Sequence, residues 1–145
     1  MNALIHKTKA SLVLRSAVAT ILFGGMSMVF AASEMVKLSG NNEVPPVTTS
    51  ASGDGSINVA ADKTVSGSLT TQGMTATAAH IHEGEAGKNG PVVISLTKDA
   101  GDKWVVPDGT KFSDAQYESY KAGKLYFNVH SAAHKDGEIR GQLKP

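Results

Sequence analysis

From residue 33 onward the chain alternates apolar and polar positions over short stretches, the two-residue period of strands with one face buried. Ser33 to Ser39 reads as a first strand carrying Met35, Val36 and Leu38. Gly40-Asn41-Asn42 reads as a turn, and Glu43-Val44-Pro45-Pro46-Val47 as an extended edge segment, because consecutive prolines cannot donate to a central ladder. Thr48 to Asp54 is small and polar, a loop or a frayed strand. Gly55 to Ala61 and Thr64 to Thr71 alternate on either side of the turn Asp62-Lys63 and predict a hairpin. Gly73 to Ala78 leads into a strand through Ala79-His80-Ile81-His82. Further strands are predicted over Pro91 to Thr97, Lys103 to Val106, Lys124 to Ser131 and Glu138 to Leu143. In Lys124 to Ser131 the residues Leu125, Phe127 and Val129 point one way, and Tyr126, Asn128 and His130 the other.

One helix interrupts this pattern. Ser113 is its expected N-cap, Gln116 completes a capping box and Gly123 lies just past its end. Tyr117 and Tyr120, three residues apart, are expected to dock it onto the strands, and Trp104 to pack in the core or at an edge. Seven or eight short strands with frequent turns predict an all-β fold, an antiparallel β-sandwich or partly closed barrel.

The first residues belong to a different pattern. Lys7, Lys9 and Arg15 precede an uncharged apolar run from Ala17 to Ala32, with Val29-Phe30-Ala31 suited to a signal peptidase. The run is shorter than the roughly 20 residues of a membrane span. Residues 1–32 therefore read as a cleaved signal peptide and 33–145 as a single exported domain, periplasmic or extracellular, with no membrane span after cleavage. The chain holds 14 basic and 13 acidic residues, and three of the basic ones fall in the leader. The remaining domain is mildly acidic, which argues against a nucleic-acid partner. Cysteine is absent, so thiol catalysis, zinc-thiolate sites and blue-copper ligation are excluded.

Candidate chemistry centres on histidine. His80 and His82 share one strand face, roughly 6.5–7 Å apart along the strand, and two imidazoles so placed can bend toward one ion. His130 ends a strand and becomes a third ligand if that strand lies beside the first; His134, in the following turn, is a candidate fourth. Neutral imidazole suits copper, zinc and nickel, copper(II) binding most tightly, so copper is the first choice and zinc the second, with no organic cofactor. Glu83, Glu85 and Asp136 are candidate oxygen ligands or partners that orient the rings, and Met74 a candidate soft ligand for copper(I). Against this stands a structural reading, in which the histidines cap strand ends and pin the glycine-rich loop Gly84–Gly90. Glu43 and Arg140 either pair or stay solvated.

Five stretches, Leu38-Ser39-Gly40-Asn41-Asn42-Glu43-Val44-Pro45-Pro46-Val47, Ala79-His80-Ile81-His82-Glu83-Gly84, Asn89-Gly90-Pro91-Val92-Val93, Tyr126-Phe127-Asn128-Val129-His130 and Gly137-Glu138-Ile139-Arg140-Gly141-Gln142-Leu143, resemble the CHRD domain, named for its occurrence in chordin. The resemblance implies an immunoglobulin-like β-sandwich and an extracytoplasmic setting, and it brings no agreed biochemical activity with it. No motif announces a serine triad, and the four histidines that follow the leader, without cysteine, cannot furnish a two-metal dismutase centre. Three functions follow in order: a metal-binding protein for buffering or delivery, an interaction or matrix module whose partner is another exported protein, and a metal-dependent oxidoreductase.

Overall fold

The computed structural model describes residues 33–145; the leader expected over 1–32 lies outside the described residues. Nine strands and one α-helix follow in chain order: β1 (Glu34–Ser39), β2 (Ser52–Val59), β3 (Val65–Gln72), β4 (Ala76–Glu83), β5 (Val92–Ser95), β6 (Thr97–Lys98), β7 (Lys103–Val105), α1 (Asp114–Lys121), β8 (Leu125–Ser131) and β9 (Ile139–Gln142). They form one antiparallel sheet in the order β5-β4-β8-β9-β1-β2-β3-β7-β6. The outermost strands of that order, β5 and β6, are separated in the chain by Leu96 alone. A single extended run therefore pairs with β4 through its first half and with β7 through its second, while the Leu96 N–H donates to the Ala79 carbonyl at 2.9 Å. The sheet is thereby bent round on itself into the nearly closed, all-β arrangement the alternation predicts. Pro91 stands just ahead of β5, where the missing N–H breaks no ladder bond, and its carbonyl accepts from the Glu83 N–H at 2.9 Å.

The interior is filled by the expected parity. Leu125, Phe127 and Val129 of β8 meet Ile81 of β4, Ile139 of β9 and Leu38 of β1 in one buried cluster, which also takes in Trp104. The helix carries the predicted capping box: Gln116 N–H donates to Ser113 Oγ at 3.2 Å, and Ser113 N–H to Gln116 Oε1 at 2.8 Å. Tyr117 and Tyr120 pack against the core, Tyr120 with its ring centre 6.0 Å from that of Phe112.

Two expectations change. Residues 52–54 are not a loop or a frayed end but the start of β2, fully paired with β1 and β3. Gly53 and Gly55 occupy inward positions there; a Cβ on them would come within 3.1 Å of Ile139 Cδ1 and 3.0 Å of Phe127 Cε2. Neighbouring side chains supply the core volume, so the segment shows no apolar signal of its own. The Glu43–Val47 segment is not a strand. It follows a single 3-10 turn at Gly40–Asn42, with the N–H groups of Glu43 and Val47 both donating to the Gly40 carbonyl, at 3.0 and 2.9 Å.

The junction of β9 with β1 is the narrowest in the sheet, with Ser39 opposite Arg140 its only register pair. Close packing holds it: a Cβ on Gly141 would lie 2.6 Å from Val36 Cγ1 and 2.8 Å from the Lys37 carbonyl oxygen. Gly141→Ala is expected to cost about 1–3 kcal/mol through overpacking alone. Urea unfolding should show a lower midpoint at unchanged slope, and an unshifted midpoint would mean that the two strands are not in tight contact.

Candidate metal centre

The register of β4 against β8 sets Ala78 opposite His130, His80 opposite Asn128 and His82 opposite Tyr126. All these residues have outward parity, so His80 and His82 share a face as expected and His130 stands diagonally beside His80. Ring centres lie 4.8 Å apart for His80 and His130, 5.5 Å for His80 and His82, and 6.1 Å for His82 and His130. One nitrogen from each ring falls within 4.8 Å of the other two. His80 Nδ1 and His130 Nε2 are 3.0 Å apart. Two nitrogens bound to one ion at 2.0–2.1 Å would be separated by about 2.9 Å at a right angle and about 3.3 Å at the tetrahedral angle, and the observed pair falls between.

Backbone carbonyls set the protons. His82 Nδ1 lies 2.9 Å from the Gly90 carbonyl oxygen, and His130 Nδ1 lies 2.9 Å from that of Lys135. A carbonyl only accepts, so each Nδ1 carries the hydrogen and each Nε2 keeps a lone pair. His130 Nε2 then accepts from His80 Nδ1–H. His82 Nε2 is buried and has no hydrogen-bond partner among the described residues. Burial lowers the pKa of both His80 and His82 from the ordinary imidazole value. The neighbouring rings depress His80 further; for His82 the Gly90 carbonyl opposes the shift, while His130 and Arg140 add to it. Both rings are therefore neutral at pH 7, the form that binds metal.

The Gly84–Gly90 loop that carries the Gly90 carbonyl is clamped from beneath. Arg140 of β9 is only 1% exposed. Its Nη2 donates to the carbonyls of Lys88 and Glu85 at 2.8 and 3.0 Å, and its Nη1 to Asn89 Oδ1 at 3.3 Å. The guanidinium carbon sits 3.5 Å from the ring centre of Tyr126, and Tyr126 stacks on His82 at 5.1 Å and 14°. Tyr126 also accepts the Gly90 N–H at its hydroxyl, at 3.1 Å. Gly90 admits no substitute, because a Cβ there would fall 1.6 Å from the Glu83 carbonyl oxygen. A second cover comes from the Glu43–Val47 segment, whose Val44 carbonyl accepts from Asn89 Nδ2 at 2.7 Å.

Neither alternative for Glu43 and Arg140 describes the structure. Both are buried, and each takes other partners. Asn128 Nδ2 donates to both Glu43 carboxylate oxygens at 3.0 Å, while Arg140 spends its donors on the loop. Burial raises the Glu43 pKa, with Asn128 and then Arg140 opposing that shift. His134 is not a member of the three-ring group. Its backbone closes the turn after β8, the N–H donating to Ser131 Oγ at 3.2 Å, and it lines a different hollow together with Glu43 and Pro45. Glu83 accepts from Ser119 Oγ at 2.5 Å and Glu85 pairs with Lys124 at 3.0 Å, so these carboxylates are engaged elsewhere. Asp136 lines a hollow beside His82, and Met74 packs against the core. The roles of Tyr126, Asn128 and Arg140 are additions to the sequence reading. The outward parity of Tyr126 and Asn128 was legible, but the two covers that bury all three were not.

Replacing Arg140 with Gln should free the Gly84–Gly90 loop before the rest of the fold. Amide exchange in that loop is expected to accelerate by at least about tenfold, one strong hydrogen bond's worth, while the β2–β3 amides stay protected. Uniform acceleration throughout the domain would show that Arg140 supports the whole fold and not this loop.

Among the described residues no helix is long and apolar enough to cross a membrane. No curated protein and no solved structure matches the chain. The CHRD domain model matches residues 35–143, from β1 to the residue after β9, and so takes in all three converging histidines. The chain belongs to the CHRD domain family.

Proposed function

We propose that this CHRD domain is an exported protein that holds one transition-metal ion through His80, His82 and His130, for buffering or delivery and not for turnover. The observation that carries the proposal is the convergence of three imidazole nitrogens within 4.8 Å of one another. The hydrogen bonds behind the rings support it. Metal-binding histidines characteristically donate their second N–H to a carbonyl or carboxylate, which fixes tautomer and orientation, as His82 and His130 do here. The unpartnered Nε2 of His82 is then a lone pair kept for the ion. Gripping the ion requires the three nitrogens, which lie within 4.8 Å of one another, to close toward the roughly 3.3 Å spacing of a tetrahedral shell. Copper is the first choice and zinc the second, by the general affinity order for nitrogen ligands. Export rests on the leader pattern of residues 1–32 and on the occurrence of CHRD domains in secreted proteins.

A second reading makes the domain an interaction module with structural histidines. It is favoured by one contact, the bond from His82 to Gly90, which pins the loop whether or not an ion is bound. It leaves His82 Nε2 unexplained.

Dialysis against copper(II), then against zinc(II), separates the two. The expected result is one ion per chain and a raised melting temperature, since a ligand that binds only the native state stabilises it. The triple variant His80→Ala, His82→Ala, His130→Ala should retain no stoichiometric ion, and His134→Ala should retain it. Stoichiometric copper in the triple variant would discard the site.

The metal-free protein should respond to acid in a defined direction. Unfolded imidazoles take up protons near pH 6.5, whereas folded His80 and His82 do so only at lower pH. The unfolded chain binds more protons in that window, so stability falls as the pH drops below about 6.5 and levels off once the folded rings protonate. Urea midpoints between about pH 8 and pH 5 should decline more steeply for the natural chain than for a His80→Gln, His82→Gln variant. Parallel declines would mean that these two rings do not carry the effect.

A further inference from the structure

We infer that the metal centre is open on one side and takes a small anionic ligand there, through the hollow beside His80 and His130. This rests on the three-histidine reading. His80, His82 and His130 all rise from the outward face of two neighbouring strands, so their donors approach an ion from the sheet side only. Among the described residues no fourth histidine or carboxylate joins the group. Zinc and copper ions with three protein nitrogens complete their shell with at least one further donor, and that donor then comes from outside the described residues.

The hollow gives it a route. An opening of about 450 Å³ is bordered by His80 and His130 together with Thr77, Ala78, Ala132 and Lys135. The space is more than a ligand of a few atoms needs, so the route is not obstructed. Most of its wall is apolar, and the two hydroxyls on the border are engaged within the chain, Thr77 donating to the His130 carbonyl and Ser131 accepting from the His134 N–H. Among the described residues Lys135 is the only charged one on the border; with the ion itself it favours a negative ligand and disfavours a cation. The backbone of Lys135 has a separate task, since its carbonyl accepts from His130 Nδ1. A change of the Lys135 side chain therefore alters the charge at the opening and leaves the hydrogen bond behind His130 in place.

The test uses the copper-loaded protein, with copper stoichiometry measured first and azide as the probe, followed by its charge-transfer absorption. The natural chain is expected to bind one azide per copper. Lys135→Glu should bind it roughly tenfold more weakly, a difference that shrinks as salt is raised. Ala132→Trp, at an exposed turn position, should weaken it by roughly tenfold or more through obstruction, with one copper retained in both variants. Azide binding that is absent from the copper-loaded natural chain, or equal in all three proteins, would overturn the open position while leaving the three-histidine site standing. A natural chain that takes up no copper would overturn both.

Discussion

A positive charge buried on the outer face of a sheet is the constraint from which the rest of this site follows. Taking a guanidinium out of water costs several kcal/mol unless its donors are met. Arg140 meets that demand with two loop carbonyls, an asparagine oxygen and the face of Tyr126. Because those carbonyls belong to Glu85 and Lys88, satisfying the charge fixes the loop, and the fixed loop presents the Gly90 carbonyl to His82. The Glu43 carboxylate makes no ion pair with Arg140 and is held instead by Asn128, the residue opposite Arg140 across β8 and β9. The charge is thus solvated by backbone, and the solvating backbone is the element that orients a ring.

Closure of the sheet gives this arrangement its second support. The run from Val92 to Lys98 belongs to both edges of the strand order, which ties β4 to the far side of the molecule through β7. With β4 held between that run and β8, its outward residues have one available register. A slip by one residue would turn His80 and His82 into the core and Ile81 out of it. The hydrophobic cost of exposing Ile81 and the placement of the two imidazoles are therefore enforced by the same alternation.

That alternation is what made part of the structure readable from the chain. The shared face of His80 and His82, the two faces of Leu125–His130 and the capping box at Ser113 are local properties, set by periods of two and by i to i+3 spacing. The nearness of His130 was readable only as a condition, since β4 and β8 are more than forty residues apart in the chain and pair across a closed sheet. Gly53 and Gly55 were opaque for a different reason: an inward glycine contributes no hydrophobicity of its own and records instead the size of its neighbour, Ile139 beside Gly53 and Phe127 beside Gly55. Glu43 and Arg140 carry the surface signature of charged residues. Only the fold of two loops over the sheet, a long-range event, converts them into interior ones.

The bond between His80 and His130 has one more consequence. In the metal-free protein the hydrogen on His80 Nδ1 occupies the line between the two nitrogens. An ion seated among these rings would require it to relocate to the far nitrogen of the same imidazole. At His80 such an uptake rearranges a tautomer without discharging the ring's proton to the buffer. A thiolate site, by contrast, must shed its protons to bind. Any dependence of the calorimetric heat of loading on the buffer would accordingly report water bound to the ion and not the rings.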